Sequence, residues 1–387
     1  MIFLPLILCL CFLPNLIYTS VPFILNPGCD LVECQEPNNP ALYYANHVIG
    51  DDRIHMIYST LDELTISIFQ TVKTCVPIFN YSALFSHNYT GAIQFPDTKP
   101  SNSFSLVLRR LIQFNDKNDD GFIDPEDKTI TSYFLTNITA TNVTFRNNNT
   151  NQPSFQLPLN SLNGSLTVDI MYPGETVRES KFPKLRTTPK SYFLNIAFQA
   201  NKFSLPKTRF AFEFYLILPG IDGSKISSSK FIDDQYTPGI FTVWKLRTLS
   251  SLYPGSMLWK PVVYQSAERS IEQNTLMEIY KIKNNVALDS HIDQGIYYSI
   301  LPHPTVSAFN ISLGQTKDGF FTKTNYTFIQ FAAGLDVLQP DSTTKFVSVA
   351  LIASLALPGI VAIIAVIFII KRRVSQQAAS SYDAIDS

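Results

Sequence analysis

The sequence predicts an all-β region with a β-sandwich-like architecture, followed by a single transmembrane helix. Aromatic residues make up 13% of the 387 residues, including 29 Phe and 18 Tyr, and such residues favour strands. Short apolar runs alternate with turn-forming pairs such as Pro173-Gly174 and Pro254-Gly255. Near the C-terminus, residues 346–370 contain no charged side chain, and about 20 such residues span a bilayer.

The strand prediction is clearest at residues 209–218, where Phe210, Phe212 and Phe214 alternate with a period of two before Pro219-Gly220 ends the run. Further strands are predicted at residues 54–59, 64–69, 104–114, 130–135, 166–171, 192–198, 257–264 and 326–331. One helix is predicted at residues 266–283, from the spacing of its apolar residues. The polar segment 184–190 is a candidate boundary between two β units.

The overall composition excludes several classes of protein. With 30 Lys and Arg against 31 Asp and Glu, the net charge is -1, so the chain lacks the positive field that nucleic acid requires. Hydrophobic residues reach 45%, too many for a disordered chain and too few for a polytopic membrane protein.

The two apolar segments predict the membrane topology. Residues 1–20 are expected to be a secretory signal peptide, with a signal anchor as the alternative, and residues 346–370 to be the span. Three basic residues, Lys371 to Arg373, follow the span and indicate its cytoplasmic end. Residues 21–345 are therefore predicted to be luminal or extracellular, and residues 371–387 to be a cytoplasmic tail.

Eight Asn-x-Ser/Thr sequons agree with this topology, because all of them lie between the two apolar segments. The predicted glycosylation sites are Asn80, Asn88, Asn137, Asn142, Asn148, Asn163, Asn310 and Asn325.

Three cysteines, Cys29, Cys34 and Cys75, remain after signal removal. In an oxidising compartment this odd number leaves one thiol over, and the sequence does not decide whether Cys29 pairs with Cys34 or either of them pairs with Cys75.

The tail contains Tyr382 and Ile385 in the Tyr-x-x-apolar pattern that clathrin adaptors bind as an extended strand. Since the tail is short and otherwise featureless, we interpret this pattern as a sorting signal; an inert tail is the alternative.

The loop that begins at Asp116 has the oxygen-ligand spacing of an EF-hand calcium loop. Its predicted ligands are Asp116, Asn118, Asp120, Phe122 through its carbonyl, Asp124 through water, and Asp127. A strand before it and Pro125 within it disagree with an EF-hand, so an acidic turn is the alternative interpretation.

The sequence between the apolar segments lacks the common nucleophile, zinc and phosphate-loop motifs, and no two of its five His stand at helical ligand spacing. We therefore predict that the protein is not an enzyme and that calcium is the only candidate cofactor. Asp233 and Asp234 are interpreted as a turn or capping pair rather than as catalytic carboxylates.

The second half resembles the glycosylated lysosomal membrane protein family. The resemblance is carried by residues 231–238, 257–262, 298–302 and 309–314, with a weaker match at 103–114. The three luminal cysteines differ from the family arrangement, and the Asp116 loop is not a family hallmark.

The resemblance implies a type I protein of the lysosomal membrane that is not an enzyme. The resemblance also implies an accessory subunit of a polytopic dipeptide transporter of the major facilitator type, which the chain is expected to protect from luminal proteases and help to localise. The alternatives are an endosomal or cell-surface receptor for a luminal ligand and a membrane-tethered hydrolase.

Overall fold

The computed structural model describes most of the chain and confirms the all-β prediction. It describes residues 21–35, 42–96, 98–135, 144–145, 153–220, 222–236, 239–260, 262–287, 295–301, 303–319, 325–338 and 343–383. The predicted signal segment 1–20 lies outside these residues. The chain divides into two compact units, residues 1–229 with 242–339, and residues 230–241 with 340–387.

Twenty strands are described, with three short 3₁₀ turns and two short helices, Tyr81–Phe85 and Tyr297–Ile300, between them. The strands are β1 (Ile24–Leu25), β2 (Leu42–Ile49), β3 (Asp52–Ser59), β4 (Leu64–Val72), β5 (Ile78–Phe79), β6 (Ile93–Gln94), β7 (Asn102–Asn115), β8 (Thr131–Phe134), β9 (Thr144–Phe145), β10 (Ser154–Leu159), β11 (Gly164–Met171), β12 (Ser191–Gln199), β13 (Thr208–Leu218), β14 (Ser224–Asp233), β15 (Gly239–Thr248), β16 (Ser256–Trp259), β17 (Val262–Tyr264), β18 (Asn274–Ile279), β19 (Thr305–Leu313) and β20 (Tyr326–Gly334).

The first sheet is antiparallel and runs β1-β2-β3-β4-β7-β13-β19-β18, with β8 also paired to β7. Its centre is the long pair β7 and β13, in which Arg209 is opposite Phe114 and Ile217 is opposite Ser105. The register shifts beside Glu213, so that Arg109 is an extra residue on β7. Such a bulge bends a strand and redirects a side chain.

The second sheet is antiparallel and runs β9-β10-β11-β12-β20, and β20 then pairs with both β16 and β17. The predicted single strand 257–264 is therefore two strands. The sequence places Pro261 at the interruption, and Pro has no N–H to donate to a ladder.

The main core lies between the two sheets, because alternate residues of each strand face inward. Phe214 of the first sheet meets Phe331 of the second with ring centroids 5.7 Å apart. Phe198 and Phe210 make a similar contact at 4.7 Å. Both pairs are completely or almost completely buried, which confirms the sandwich-like prediction and explains the period of two in residues 209–218.

A second, smaller cluster covers the other face of the first sheet. Leu42, Ile57 and Phe69 pack there against Leu84 of the Tyr81–Phe85 helix. Strands β3 and β4 are consequently buried on both faces, and His55, which alternates with the main-core residues Ile54 and Met56, lies in this second layer.

The predicted helix at residues 266–283 is wrong. Ile271–Gln273 form a 3₁₀ turn capped by Ser270, and the following residues form β18. Leu276 pairs with Val262 of β17 and Ile279 pairs with Ile311 of β19. These two neighbouring strands give the segment ladder partners on both sides, and this tertiary pairing outweighs a weak helical periodicity.

The segment 184–190 connects β11 to β12, which pair with each other along seven residues from Ser165 to Met171. The Tyr172 hydroxyl donates to the carbonyl of Pro189, so the connection folds back on the strand before it. The residues on its two sides therefore belong to one sheet.

The structure resolves the cysteine pairing that the sequence left open. Cys29 and Cys34 form a disulfide that closes a small loop, with Cα atoms 6.4 Å apart. Cys75 is a buried free thiol whose Sγ lies 3.7 Å from the carbonyl of Thr98.

The second compact unit contains the helix Lys345–Asp383, within which Lys345–Gln376 are long and apolar enough to cross a membrane. Other parts of the described chain do not cover its apolar side chains, as is expected of a helix that packs against lipid or a partner. Asp234 of this unit accepts a 2.6 Å hydrogen bond from the hydroxyl of Thr344, immediately before the helix.

Candidate cation loop, buried histidine and modification sites

The loop predicted to bind calcium is folded around an arginine. Nε of Arg209 donates to Oδ2 of Asp116 over 2.6 Å, and a terminal nitrogen donates to Asp119 over 2.6 Å. Asp318 accepts from Arg209 over 3.2 Å. The Arg209 side chain has no exposed area and that of Asp116 has 1%. Since buried charges require opposite partners, this cation and its carboxylates stabilise one another.

Arg209 reaches the loop because it lies near the start of β13, directly opposite Phe114 at the end of β7, on the side of the strand that faces away from the main core. Its guanidinium also donates to the carbonyl of Leu313 at the end of β19. It therefore ties together the ends of three adjacent strands. Sequence reasoning missed this role, since Asp318 lies 109 residues away along the chain and no local pattern indicates the pairing.

The other predicted ligands mostly cap the turns of the loop itself. Asp120 Oδ1 accepts from the N–H of Phe122, and Asp124 Oδ1 accepts from that of Glu126. Asp127 accepts from Thr129, whose hydroxyl lowers the pKa of that carboxyl. These are the short-range bonds by which Asp residues shape turns.

The loop does bring several predicted ligands to one surface depression of about 420 Å³, which includes Asn118, Asp120, Asp124 and Asp127. Within the described part of the chain, no three His, Cys, Asp or Glu side chains come close enough to hold a metal ion. Phe122 has its ring edge-on to Tyr280, with centroids 5.1 Å apart. The geometry favours the acidic-turn interpretation, and calcium binding stays a prediction.

His55 is a buried polar residue that the sequence did not distinguish from the other histidines. Nδ1 lies 2.8 Å from the Tyr44 hydroxyl and Nε2 lies 2.7 Å from the Thr71 hydroxyl. Because Thr71 donates its own proton to the carbonyl of Val72, it accepts from Nε2, which assigns the neutral Nε2–H tautomer. The Phe69 ring stacks on the imidazole at 4.8 Å.

Burial lowers the pKa of His55 to about 3, and the nearby positive charge of Arg53 adds to the effect. The imidazole is thus kept neutral in mildly acidic solution. Its hydrogen bonds can then remain unchanged where an ordinary histidine would gain a proton.

The sequons fall on the surface of the described chain. Asn80, Asn88, Asn163 and Asn325 are exposed, and Asn310 is half-buried on the side of β19 that faces away from the core. Asn80 also caps the Tyr81–Phe85 helix through Oδ1, which leaves Nδ2 available for a glycan. Asn137, Asn142 and Asn148 lie outside the described residues, so glycan occupancy at all eight stays a prediction.

Tyr382 lies one residue before the end of the helix Lys345–Asp383, whereas the sorting interpretation requires an extended strand. The helix would have to unwind locally for an adaptor to bind, and an isolated helical end in water is marginally stable. Ile385 lies outside the described residues.

Asp233 and Asp234 act as the turn and capping pair that the sequence predicts. Asp233 Oδ1 accepts from the backbone N–H groups of Gln235 and Tyr236. Asp234 accepts from both the hydroxyl and the N–H of Thr344, which lowers the pKa of its carboxyl.

Comparison with known proteins gives a consistent family. A sequence profile described as glycosylated lysosomal membrane protein matches residues 42–376, which include both the β region and the membrane span. The Mus musculus protein of that name is 25% identical over 287 residues, covering 70% of this chain and 67% of that protein. The Xenopus laevis B form is 26% identical over 332 residues, covering 80% of each chain. The Danio rerio protein is 24% identical over 375 residues, covering 92% and 88%.

A solved structure from Escherichia coli, provisionally described as an aldose 1-epimerase, aligns with 77% of this chain and 100% of that chain. Its identity is 8% and its TM-score is 0.32, too low to bear on fold or activity.

The curated relatives are named as membrane proteins and not as enzymes. A large β region followed by one apolar helix fits a single-pass type I topology in the lysosomal membrane. With the profile matching most of its length, the chain belongs to the glycosylated lysosomal membrane protein family.

Proposed function

We propose that the chain is a non-enzymatic accessory subunit of a polytopic lysosomal transporter of the major facilitator type that carries dipeptides. It would protect that transporter from luminal proteolysis and support its lysosomal localisation. The observation that carries the proposal is the family match, which extends over the β region and the span together. A partner that contacts both the luminal β region and the membrane span would constrain the sequence of both.

The span supports a role beside a transporter rather than as one. Intramembrane ionisable residues mark the pathways of transported ions and substrates. Residues 346–370 include none, and one such helix has no polar route of its own. The transported substrate therefore has to pass through another protein, and the uncharged helix can pack beside it.

The luminal region supports the protective part of the proposal. Sequons are spread over both sheets, from Asn80 beside the second cluster to Asn325 at the start of β20. N-glycans at such positions are bulky and soluble, and they would hinder proteases that approach the neighbouring luminal loops of a partner.

The test is affinity purification of the tagged full chain in a mild detergent, followed by mass spectrometry. We expect one polytopic transporter to be enriched over an unrelated lysosomal type I glycoprotein purified in parallel. A matched variant in which an unrelated uncharged span replaces residues 346–370 shows whether the span contributes to the contact.

Loss of the chain should shorten the half-life of the transporter, and inhibitors of luminal proteases should restore it. A transporter whose half-life does not change would contradict the protective role. A steady-state location at the plasma membrane, with a luminal ligand and no polytopic partner, would favour a receptor instead.

A further inference from the structure

Two rows of residues on the outward-facing side of the second sheet are polar. Leu166, Val168 and Ile170 of β11 face the main core, so the residues between them face outward. The strand register places these outward residues in rows across β11, β12 and β20. One row contains Ser165, Gln199 and Tyr326, and another contains Asp169, Asn195 and Gln330.

Two sequon asparagines stand at the same edge of this face. Asn163 lies in the turn between β10 and β11, and Asn325 immediately precedes β20. Ala200 donates its N–H to the carbonyl of Asn325 over 3.2 Å, and the next residue, Asn201, donates through Nδ2 to the carbonyl of Asn163 over 2.9 Å. Two consecutive residues therefore hold both acceptor sites close together.

A groove of about 360 Å³ lies beside them on the same face. Its lining includes Gln156, Pro158, Asn163, Ser165, Gln199 and Asn201. Amide and hydroxyl side chains offer both donors and acceptors without charge, which matches the hydroxyl and acetamido groups of a sugar. The volume is at the lower end for small-molecule sites, enough for one or two sugar rings.

Thr327 provides an independent observation. It is completely buried, faces the main core opposite Phe198, and its hydroxyl has no hydrogen-bond partner among the residues that the structure describes. A buried hydroxyl without a partner destabilises a fold, and valine would fill the same space without that cost. Threonine is required at this position by one other constraint, the Asn325-Tyr326-Thr327 sequon, whose hydroxyl is needed while the chain is still unfolded.

Asn163 and Asn325 are both among the predicted glycosylation sites, and we propose that the first sugars at Asn163 rest in this groove, so that this edge of the second sheet is a surface to which a glycan binds. The orphan hydroxyl of Thr327 is retained because it directs the modification of Asn325. Glycans here are bound to the protein surface, unlike those on the open helix and turn at Asn80 and Asn88.

The test begins with site-specific glycopeptide mass spectrometry of the full-length protein from cells. The native protein is then digested with an amide-cleaving glycosidase, and the cleavage rate is measured at each site. We expect the rate at Asn163 to be about tenfold lower than at Asn88, as one or two hydrogen bonds to the glycan would produce. After denaturation the two rates should be equal.

Variants at Gln199 and Thr327 distinguish a glycan that is bound in the groove from one that the glycosidase reaches slowly for steric reasons alone. Gln199→Ala, at an exposed lining residue, should raise the native cleavage rate at Asn163 toward that at Asn88, without changing the thermal unfolding midpoint. Thr327→Ser should keep the glycan at Asn325 and Thr327→Val should lose it. After enzymatic deglycosylation, Thr327→Val should unfold at a higher temperature than wild type.

Unmodified Asn163 or Asn325 would overturn the proposal. So would equal native cleavage rates at Asn163 and Asn88, or a rate at Asn163 that Gln199→Ala leaves unchanged. A lower unfolding midpoint for Thr327→Val would show that the hydroxyl stabilises the fold. Thr327 would then give no evidence that the hydroxyl is retained for modification of Asn325.

Discussion

Arg209 donates from Nε to Oδ2 of Asp116 over 2.6 Å, and neither side chain has more than 1% of its surface exposed. The same Asp116 carboxylate accepts the N–H groups of Asp120 and Gly121 through its two oxygens. One ion pair thus shapes the Asp116 loop and anchors it to β13. The loop has the ligand spacing of a calcium site, but the cation buried against Asp116 is the guanidinium of Arg209.

Removing Arg209 should destabilise the protein strongly. In Arg209→Met, Asp116 remains buried without a cation, and breaking a buried pair in this way costs about 3–5 kcal/mol. The measurement is urea unfolding of the purified full chain in detergent, followed by the fluorescence of Trp244 and Trp259.

The exposed Lys202→Met is the matched control and should change the free energy of unfolding by less than about 0.5 kcal/mol. Asp116→Asn combined with Arg209→Met should cost less than the sum of the single changes, because the most deeply buried of the three carboxylates around Arg209 is then neutral. A cost below about 1 kcal/mol for Arg209→Met would contradict the structural role.

Calcium should have little effect on this loop. Since Asp116 is already bonded to Arg209, the first ligand of the predicted site is unavailable, and the others cap turns. We expect equal thermal unfolding midpoints in millimolar calcium and in chelator. A calcium site occupied at about tenfold over its dissociation constant would add roughly 1.4 kcal/mol, so a raised midpoint that Asp120→Ala abolishes would restore the calcium interpretation.

How far the sequence predicts the fold depends on the range of the interaction. The alternation of Phe210, Phe212 and Phe214 predicts both their strand and its buried face, because alternation is a local property of the sequence. The spacing of Ile271, Leu276 and Ile279 is equally local and misleads, since pairing with β17 and β19, which lie outside the segment, decides the outcome.

The candidate sites follow the same division. The sequons and the acidic loop are visible in the sequence because each is a short pattern. The partners of Arg209 and His55 are not visible, because Asp318 and Thr71 reach them only through strand pairing. An arginine at the start of an apolar strand is the available signal in the sequence, and a carboxylate-rich loop after another predicted strand is its complement.

Cys75 should be the only free thiol among the three described cysteines, and should react only after unfolding. It is completely buried, and Cys29 is paired with Cys34. Alkylation of the native, unreduced protein should leave all three unlabelled, and alkylation in denaturant should add one label, at Cys75. Rapid labelling of the native protein, or a cross-linked peptide that contains Cys75, would contradict the assigned pairing.

Tyr382→Ala should move the protein from lysosomes toward the cell surface, because the Tyr382 and Ile385 pair is the sorting pattern in the tail. Surface biotinylation measures the shift, and Ile385→Ala should produce a similar one. Ser381→Ala is the control and should leave the distribution unchanged. Since a bound transporter could carry its own signal, the comparison is made in cells that lack the partner, where an unchanged lysosomal location would refute the motif.

The stability of the protein should fall in acid in a way that depends on His55. An unfolded histidine has a pKa near 6.5, whereas burial lowers that of His55 to about 3 in the folded state. Between these values the unfolded chain binds a proton that the folded chain does not. The free energy of unfolding contributed by this site is therefore complete above about pH 6.5, and falls by about 1.4 kcal/mol per pH unit down to about pH 3.

His55→Gln removes this titration while keeping one donor and one acceptor near Tyr44 and Thr71. The variant should be less stable than wild type at neutral pH, and the difference should shrink by about 1.4 kcal/mol per unit as the pH falls from 6 to 4. Urea unfolding of the full chain at each pH measures both slopes. The exposed His303→Gln should stay within about 0.5 kcal/mol of wild type at neutral pH. Parallel pH profiles for wild type and His55→Gln would show that His55 is protonated in the folded protein, and that its two hydrogen bonds do not hold it neutral.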